Sequence, residues 1–417
     1  MSADHGTATL RILYILPYVP SPIRVRPYQF IRQLARAGHH VTVAALGEGS
    51  PADSAALVEL RSLCEAVHIV PHPRRQAMGQ ALAALPTPIP LWAAWCRSPE
   101  MLRLLRSLAA NGAFDVAHIE HLRAAQYADS LGDLPCVFDA VDCITELRSQ
   151  LMTLPTASRA SRLLSRQEWR KIRRYEPQVC GRFPQIVVTS RIDAEALTAL
   201  GVDRPISVLP NGVDGDTFHP IPGTPCRWSL VFTGKMSYAP NRDAALYLLE
   251  EILPRLDALM PAGAAALTVC LAGSGPDQRL RQAAARWGDR VTVTGYVDDL
   301  QTYLASAQIA ICPMRAGVGI QNKALEAMAT GLPVVATPIV GRALESAVAA
   351  GAVRIAPDAD SLARACADWL QTPDAARHAG AAGRACVEND FRWDSAGSAL
   401  VKIYTAVFGR RSTAGMN

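Results

Sequence analysis

The stretch Gly317-Val-Gly-Ile-Gln-Asn-Lys-Ala-Leu-Glu-Ala-Met-Ala-Thr-Gly-Leu-Pro-Val-Val-Ala-Thr337 reads as a glycine-bearing loop, a short helix and an apolar strand. Gly331-Leu-Pro333 ends the helix, because glycine tolerates the turn and proline cannot continue it. A loop feeding a helix N-terminus presents backbone N–H groups and a partial positive charge, a natural seat for phosphate. Lys323 in the first turn adds a point charge. Glu326, one turn on and on the same face, can accept hydrogen bonds from a ribose diol. Gly317, Gly319, Ile320 and Gln321 make the cradle. The segment fits a nucleoside-diphosphate site, and an ordinary surface helix with a Lys–Glu pair is the other reading at this point.

Outward from it, short apolar runs alternate with helical spacing along the whole chain. The expected strands are 10–16, 40–46, 67–70, 116–119, 136–138 and 186–189 in the first half. In the second half they are 229–233, 267–272, 291–294, 309–312, 333–336 and 353–356. Helical patterns such as 28–37 and 244–253 lie between them. Strand–helix alternation implies parallel sheets covered on both faces, with ligand crevices at the carboxyl ends of the strands. The fold class is therefore α/β, with two doubly wound domains. They are expected at residues 1–205 and 206–390, with a terminal helix in 391–417 packing back across the join. The join is rich in turn residues, Pro205, Pro210, Asn211 and Gly212 among them.

A chain of 417 residues exceeds one comfortable core, which agrees with two domains. Half of it is hydrophobic and its net charge is +5, so neither a disordered acidic tail nor a nucleic-acid footprint is indicated. The most apolar run, 81–95, is cut by Pro86, Pro88 and Pro90, so no membrane-spanning helix is expected. The first residues lack the basic start of a signal peptide. Ten cysteines are scattered without a C-x-x-C pair, and several fall inside strands, as buried thiols do. A cytoplasmic setting is expected. Arg159, Arg162, Arg166, Arg170, Lys171, Arg173 and Arg174 line one helical stretch, interleaved with Leu163, Leu164, Trp169 and Ile172. That stretch is either a solvated face or a contact with anionic lipid at the inner face of a membrane.

Val208-Leu-Pro-Asn-Gly-Val-Asp214, Phe232-Thr-Gly-Lys235, Leu271-Ala-Gly-Ser-Gly-Pro276 and Val293-Thr-Gly-Tyr-Val-Asp-Asp-Leu300 follow one another in a set order. With the 317–337 segment they resemble the retaining, nucleotide-sugar-dependent group 1 glycosyltransferases, similar to family 4. Ile15-Leu-Pro-Tyr-Val-Pro-Ser-Pro22 and Gly38-His-His-Val-Thr-Val43 give a looser match in the amino half. The resemblance implies the GT-B fold, in which two Rossmann-like domains face each other across a cleft. It places the donor, a UDP- or GDP-linked sugar, mainly on the carboxyl domain and the acceptor mainly on the amino domain. No cofactor or metal is implied. The implied partners are the nucleotide-sugar donor and a saccharide, lipid-linked or small-molecule acceptor, with no nucleic acid.

Breaking the bond from an anomeric carbon to a nucleoside diphosphate leaves a more negative diphosphate and an oxocarbenium-like sugar. Fixed positive charge must hold the leaving group. The resemblance assigns Lys235, where the family commonly has Arg, and Lys323 to that task. It assigns Glu326 to the ribose and puts Asn211 in the interdomain signature. Val318 stands where the family usually has a first glutamate, which removes a contact to the transferred sugar.

On the amino side, Asp142 is a candidate catalytic base, or else an N-cap of the following helix. Asp139 is a candidate on the same loop, or a turn former. Arg24 and Arg26, expected in the loop after the first strand, are candidates for an acidic acceptor or the donor phosphates, or else are solvated. His118-Ile-Glu-His121 tempts a metal reading, but in a strand His118 and Glu120 share a face while His121 points away. One of the two histidines is expected to line the acceptor site. A sugar-nucleotide 2-epimerase of the same fold and a non-catalytic binding partner are the remaining function classes.

Overall fold

The computed structural model describes residues 9–49, 51–111, 114–155, 159–260 and 266–414. In the first sheet run β1 (Arg11–Leu16), β2 (His40–Gly47), β3 (Ala66–Pro71), β4 (Val116–Glu120), β5 (Cys136–Val141), β6 (Gln185–Val188) and β7 (Ile206–Val208). Their order is β3-β2-β1-β4-β5-β6-β7. The second sheet holds β8 (Trp228–Thr233), β9 (Val269–Ala272), β10 (Val291–Gly295), β11 (Ala307–Cys312), β12 (Val334–Ala336) and β13 (Val353–Ile355). Their order is β10-β9-β8-β11-β12-β13. Every strand pairing is parallel.

Parallel strands covered on both faces read as continuous apolar runs, as in β1, where only Arg11 is exposed. Strand order reverses between β1 and β4 in one sheet and between β8 and β11 in the other. Crevices open at such reversals, beyond the carboxyl ends of the strands. Two Rossmann-like units result. The first takes Met1–Thr145, Leu163–Pro210 and Trp393–Asn417, and the second takes Glu146–Arg162 and Asn211–Arg392.

The terminal helix, Trp393–Ala414, packs on the first unit's helix Val25–Arg36. Trp393 meets Phe30 edge to face at 5.5 Å, and a Cβ on Gly397 would come within 2.7 Å of the Gln33 Cβ. Close approach there requires glycine.

Three local expectations need correction. The first long helix starts at Val25, so Arg26 lies in its first turn and is only 4% exposed, not in an open loop. β7 sits in the stretch read as join: three residues between Pro205 and Pro210, short and proline-flanked as edge strands are. The single helix expected over 244–253 runs instead as Ala239–Tyr247, a π turn at Leu248–Ile252 and Leu253–Leu259. Pro254 lacks an N–H to donate, which accounts for the widened turn before it.

Candidate active site

In the second unit the loop after β11 is fixed at its start and shaped by glycine further on. Arg315 makes a bidentate pair with the fully buried Asp243, at 2.8 and 2.9 Å, and lies over the Tyr247 ring. Thr337 Oγ1 donates to the Met314 carbonyl at 2.5 Å. Gly319 has φ +63°, a left-handed conformation that favours glycine. The Gly317 N–H donates to Gln150 Oε1 at 2.8 Å, and the Gln321 amide turns back onto the Val318 carbonyl at 3.1 Å. Ile320 is buried, which leaves its backbone rather than its side chain to meet a ligand.

The helix Asn322–Ala329 then carries Lys323 and Glu326 on one face. Lys323 Nζ donates to Asn241 Oδ1 at 2.5 Å and stands 4.9 Å above the Phe232 ring. Crowding by neighbours penalises its charge and brings its pKa down to about 8. The same desolvation lifts Glu326 to about 7, with Lys323 opposing it. Among the described residues the Glu326 carboxylate has no hydrogen-bond partner, so it is available to a ligand hydroxyl. Asn211 Nδ2 donates to Asn322 Oδ1 at 2.9 Å and so braces the first residue of this helix.

Lys235 is exposed on the loop after β8, and its carbonyl accepts from Asn241 Nδ2 at 3.1 Å. Asn241, which sequence reasoning did not single out, therefore ties the two lysine-bearing segments together. The glycine motifs beside it are steric. A Cβ on Gly273 would fall 1.9 Å from the Gly234 carbonyl oxygen, and one on Gly234 would fall 2.7 Å from Asn241 Nδ2.

In the first unit the structure joins Arg26, His118 and Asp139 in a buried network. Arg26 Nε donates to Asp139 Oδ2 at 2.7 Å, and its Nη1 to the Leu209 carbonyl at 3.0 Å. His118 Nδ1 meets Tyr404 Oη at 2.8 Å, and its ring stacks on Tyr14 at 4.1 Å. Burial pulls its pKa down to about 4 despite Asp139, so the ring is neutral. His118 is fully buried, a core histidine rather than a wall of an open site.

Glu120 is the hub that sequence reasoning passed over. Tyr14 and Tyr18 donate to its two oxygens at 3.0 and 2.8 Å. Burial, with the Asp139 charge, pushes it up to about 8. The His118-Ile-Glu-His121 pattern contains it but does not reveal this role, because its partners lie about a hundred residues away.

Arg24, His121 and Arg123 gather on the outer side of that network, around the Tyr18 ring. Arg24 and Arg123 both lie over the Tyr18 ring. His121 accepts from the Arg123 N–H and meets Trp92 edge-on at 4.6 Å. Burial and then the Arg123 charge hold its pKa well below the usual histidine range. His121 and Val141, at the ends of adjacent strands β4 and β5, have φ of +73° and +66°. Left-handed backbone at a β-branched residue is strained, and strain of this kind collects at functional sites.

Asp142 follows at once. Its Oδ1 accepts from Thr189 Oγ1 at 2.9 Å, and desolvation plus the Asp193 charge lift it to about 7. It does not cap the next helix. The Ile144 and Thr145 N–H groups are taken by Glu176, at 2.8 Å each. Among the described residues no group of three or more His, Cys, Asp or Glu is placed to hold a metal ion.

Two family models match this chain. Residues 227–372 match "Glycosyl transferases group 1", and residues 24–217 match "Glycosyltransferase Family 4". A phosphatidyl-myo-inositol mannosyltransferase of Mycolicibacterium smegmatis is 26% identical over 96% of this chain and 95% of its own length. A GDP-mannose-dependent alpha-(1-6)-phosphatidylinositol monomannoside mannosyltransferase of Mycobacterium tuberculosis is 32% identical over 51% of this chain and 59% of its own length. Among solved structures, sucrose-phosphate synthase from Thermosynechococcus elongatus superposes with TM-score 0.72 at 18% identity, covering 96% of this chain and 100% of that one. HepE of Anabaena, solved with UDP-glucose, gives 0.68 at 14% identity, over 95% and 100%. Likeness at these identities fixes the GT-B fold.

Proposed function

The chain belongs to the group 1 glycosyltransferases, and from that premise we propose that it moves a hexosyl group, with retention, from a UDP- or GDP-linked sugar to a hydroxyl of a saccharide, lipid-linked or small-molecule acceptor. The observation that carries this reading is the pairing of Lys323 and Glu326 on one helix face, both desolvated, beside the loop 317–321. A diphosphate against Lys323 restores the stability of its charged form, and Glu326 takes the ribose hydroxyls. Lys235, exposed on the neighbouring loop, adds a second cation. GDP-mannose is the first donor to test, since the Mycobacterium tuberculosis relative carries it in its name.

In the transfer, the bond between the anomeric carbon and the diphosphate oxygen breaks, and its electron pair stays with the diphosphate. Lys323, Lys235 and the helix N-terminus stabilise that charge without a metal ion. The acceptor oxygen bonds to the anomeric carbon on the face being vacated. Its proton passes to the departing diphosphate, or to Asp142, whose pKa near neutrality suits a base. With Val318 in place of the family's first glutamate, backbone groups of Gly319 and Ile320 take over part of the sugar's recognition.

The acceptor reading extends to membranes. Arg166, Arg170, Arg173 and Arg174 are exposed on the helix Arg159–Cys180, while Ile172 and Val179 are buried. The side chains of Arg159 and Arg162 lie outside the described residues. Lys171 is engaged by the Ala84 and Leu85 carbonyls at 3.0 Å each. The exposed arginines suit an electrostatic contact with anionic lipid. Among the described residues no helix is long and apolar enough to cross a membrane.

Release of free nucleoside diphosphate on mixing with donor and acceptor tests the transfer. Nucleotide binding without release under any acceptor would overturn it. Salt-dependent co-sedimentation with anionic vesicles tests the membrane contact, and equal sedimentation with neutral vesicles would remove it.

A further inference from the structure

At the carboxyl ends of β1, β2 and β3 the first unit encloses a cavity of about 70 Å³, lined among others by Tyr18, Arg24, Glu48, His72, Trp95 and Arg123. About 10–15 Å³ of such space holds one water molecule, so the cavity has room for a compact polar group. Its wall is polar in a particular way.

Arg123 rests on two aromatic faces, 5.2 Å from the Tyr18 centroid and 5.0 Å from that of Trp92. Its guanidinium Nε has only a long contact to His121 Nδ1, at 3.5 Å. Among the described residues no carboxylate lies within ion-pair distance of it. Part of this guanidinium remains open to solvent, and an anion seated in the cavity would give it a counter-ion. Arg24 brings a second guanidinium to the same ring and the same cavity, at 4.5 Å from the Tyr18 centroid.

His72 supplies the independent observation. It is only 5% exposed, and its Nε2 is held by the Trp95 carbonyl at 2.6 Å. Its Nδ1 is buried with no hydrogen-bond partner. The nitrogen bound to the carbonyl carries the proton, so Nδ1 is an unpaired acceptor, which the protonated oxygen of a phosphate monoanion can satisfy. Glu48, the one carboxylate on the rim, is half exposed and lies 3.7 Å from Arg74, which answers its charge.

We propose that this cavity is an oxyanion subsite that seats a phosphate group carried by the acceptor, held by Arg24 and Arg123 with His72 at its back. Guanidinium pairs suit phosphate oxygens geometrically, and planar stacking on aromatics presents their edges. The proposal rests on the glycosyl-transfer reading only for the word acceptor. The phosphate site itself can be measured without turnover.

The test titrates the full chain with inorganic phosphate and with sulfate, read by the fluorescence of Trp92 and Trp95 and by calorimetry. Saturable binding is expected, weakened at least tenfold in Arg123→Gln and partly restored in Arg123→Lys. Donor nucleotide affinity should stay within about threefold in both variants, since the donor's predicted seat is in the other unit. A folded wild-type chain that fails to bind either ion at tens of millimolar overturns the proposal. So does an Arg123→Gln variant that loses nucleotide affinity as steeply as phosphate affinity, because the pocket would then belong to the donor.

The source of the phosphate is separated by acceptors. A lipid phosphate and a water-soluble sugar phosphate are each compared with their dephosphorylated forms. The proposal expects at least one phosphorylated form to have tenfold higher kcat/KM. Equal kcat/KM for phosphorylated and dephosphorylated forms of both would overturn it.

Discussion

The two units place their polar groups by opposite means. In the second unit the candidate donor site is written in consecutive residues: the loop 317–321, then Lys323 and Glu326 one turn apart on Asn322–Ala329. In the first unit the polar centre is assembled across the fold. Arg26, Glu120, Asp139 and Tyr404 come from four different elements and meet only after the sheet and the terminal helix have formed. A local site can be read from spacing. A non-local one can be read only from what is buried, and its residues act on stability before they act on substrate.

That contrast is broken most forcefully at Arg26. Arg26→Ala leaves Asp139 as an uncompensated charge at 0% exposure and should cost about 3–5 kcal/mol of unfolding free energy. Urea unfolding measures it. A loss of less than about 1 kcal/mol would mean that the pair is a surface-like contact and that the first unit's network is not structural.

The second unit should respond in function instead. Lys323→Ala and Glu326→Ala should each weaken donor binding or turnover at least tenfold, about 1.4 kcal/mol. Wild-type donor affinity in both variants would sink the site assignment. The pH dependence follows from Lys323. Its folded pKa is depressed to about 8, so the protonated form that attracts a diphosphate is present below that value and lost above it. Donor affinity should therefore fall as pH rises through about 8, by up to tenfold per unit, and Lys323→Arg should flatten the fall.

Glu120 gives a prediction of the opposite kind. Its folded pKa is raised to about 8, so the stability it contributes is complete below the ordinary glutamate range and declines as pH climbs towards 8. Glu120→Gln, which keeps the shape without the titration, should remove that part of the decline between pH 5 and 9 in unfolding experiments. An unchanged pH profile would show that the carboxyl is ionised at neutral pH.

The smallest effect expected is at Tyr404→Phe. It removes one hydrogen bond to His118 and should cost about 1 kcal/mol with little change in donor binding.

The sequence carried the architecture because parallel strands buried on both faces announce themselves as apolar runs, and the glycines of the second unit mark close approach. Gly234 and Gly273 could be recognised as motif members, although their reason, close approach to neighbouring backbone and to Asn241, exists only in the folded chain. Helix starts were less legible. Arg24 and Arg26 look alike in a proline-rich loop, yet one lines a cavity and the other is buried in a helix turn against Asp139. Asp142 offered an N-cap reading that failed because Glu176, 32 residues beyond Ile144, takes the helix N–H groups instead. Glu120 and Asn241 were illegible for the same reason: each acts through partners that local spacing does not reveal.

The most direct measurement is thermal stabilisation by a panel of UDP-, GDP-, ADP- and dTDP-sugars, with and without chelator, on the wild-type chain and Lys323→Ala. A donor at a hundred times its dissociation constant should stabilise the native state by about 2.7 kcal/mol. The expected result is a shift selective for one nucleotide, unchanged by chelator and lost in Lys323→Ala. No shift with any sugar nucleotide, or a shift that needs added metal or survives in Lys323→Ala, would contradict a lysine-based, metal-free donor site.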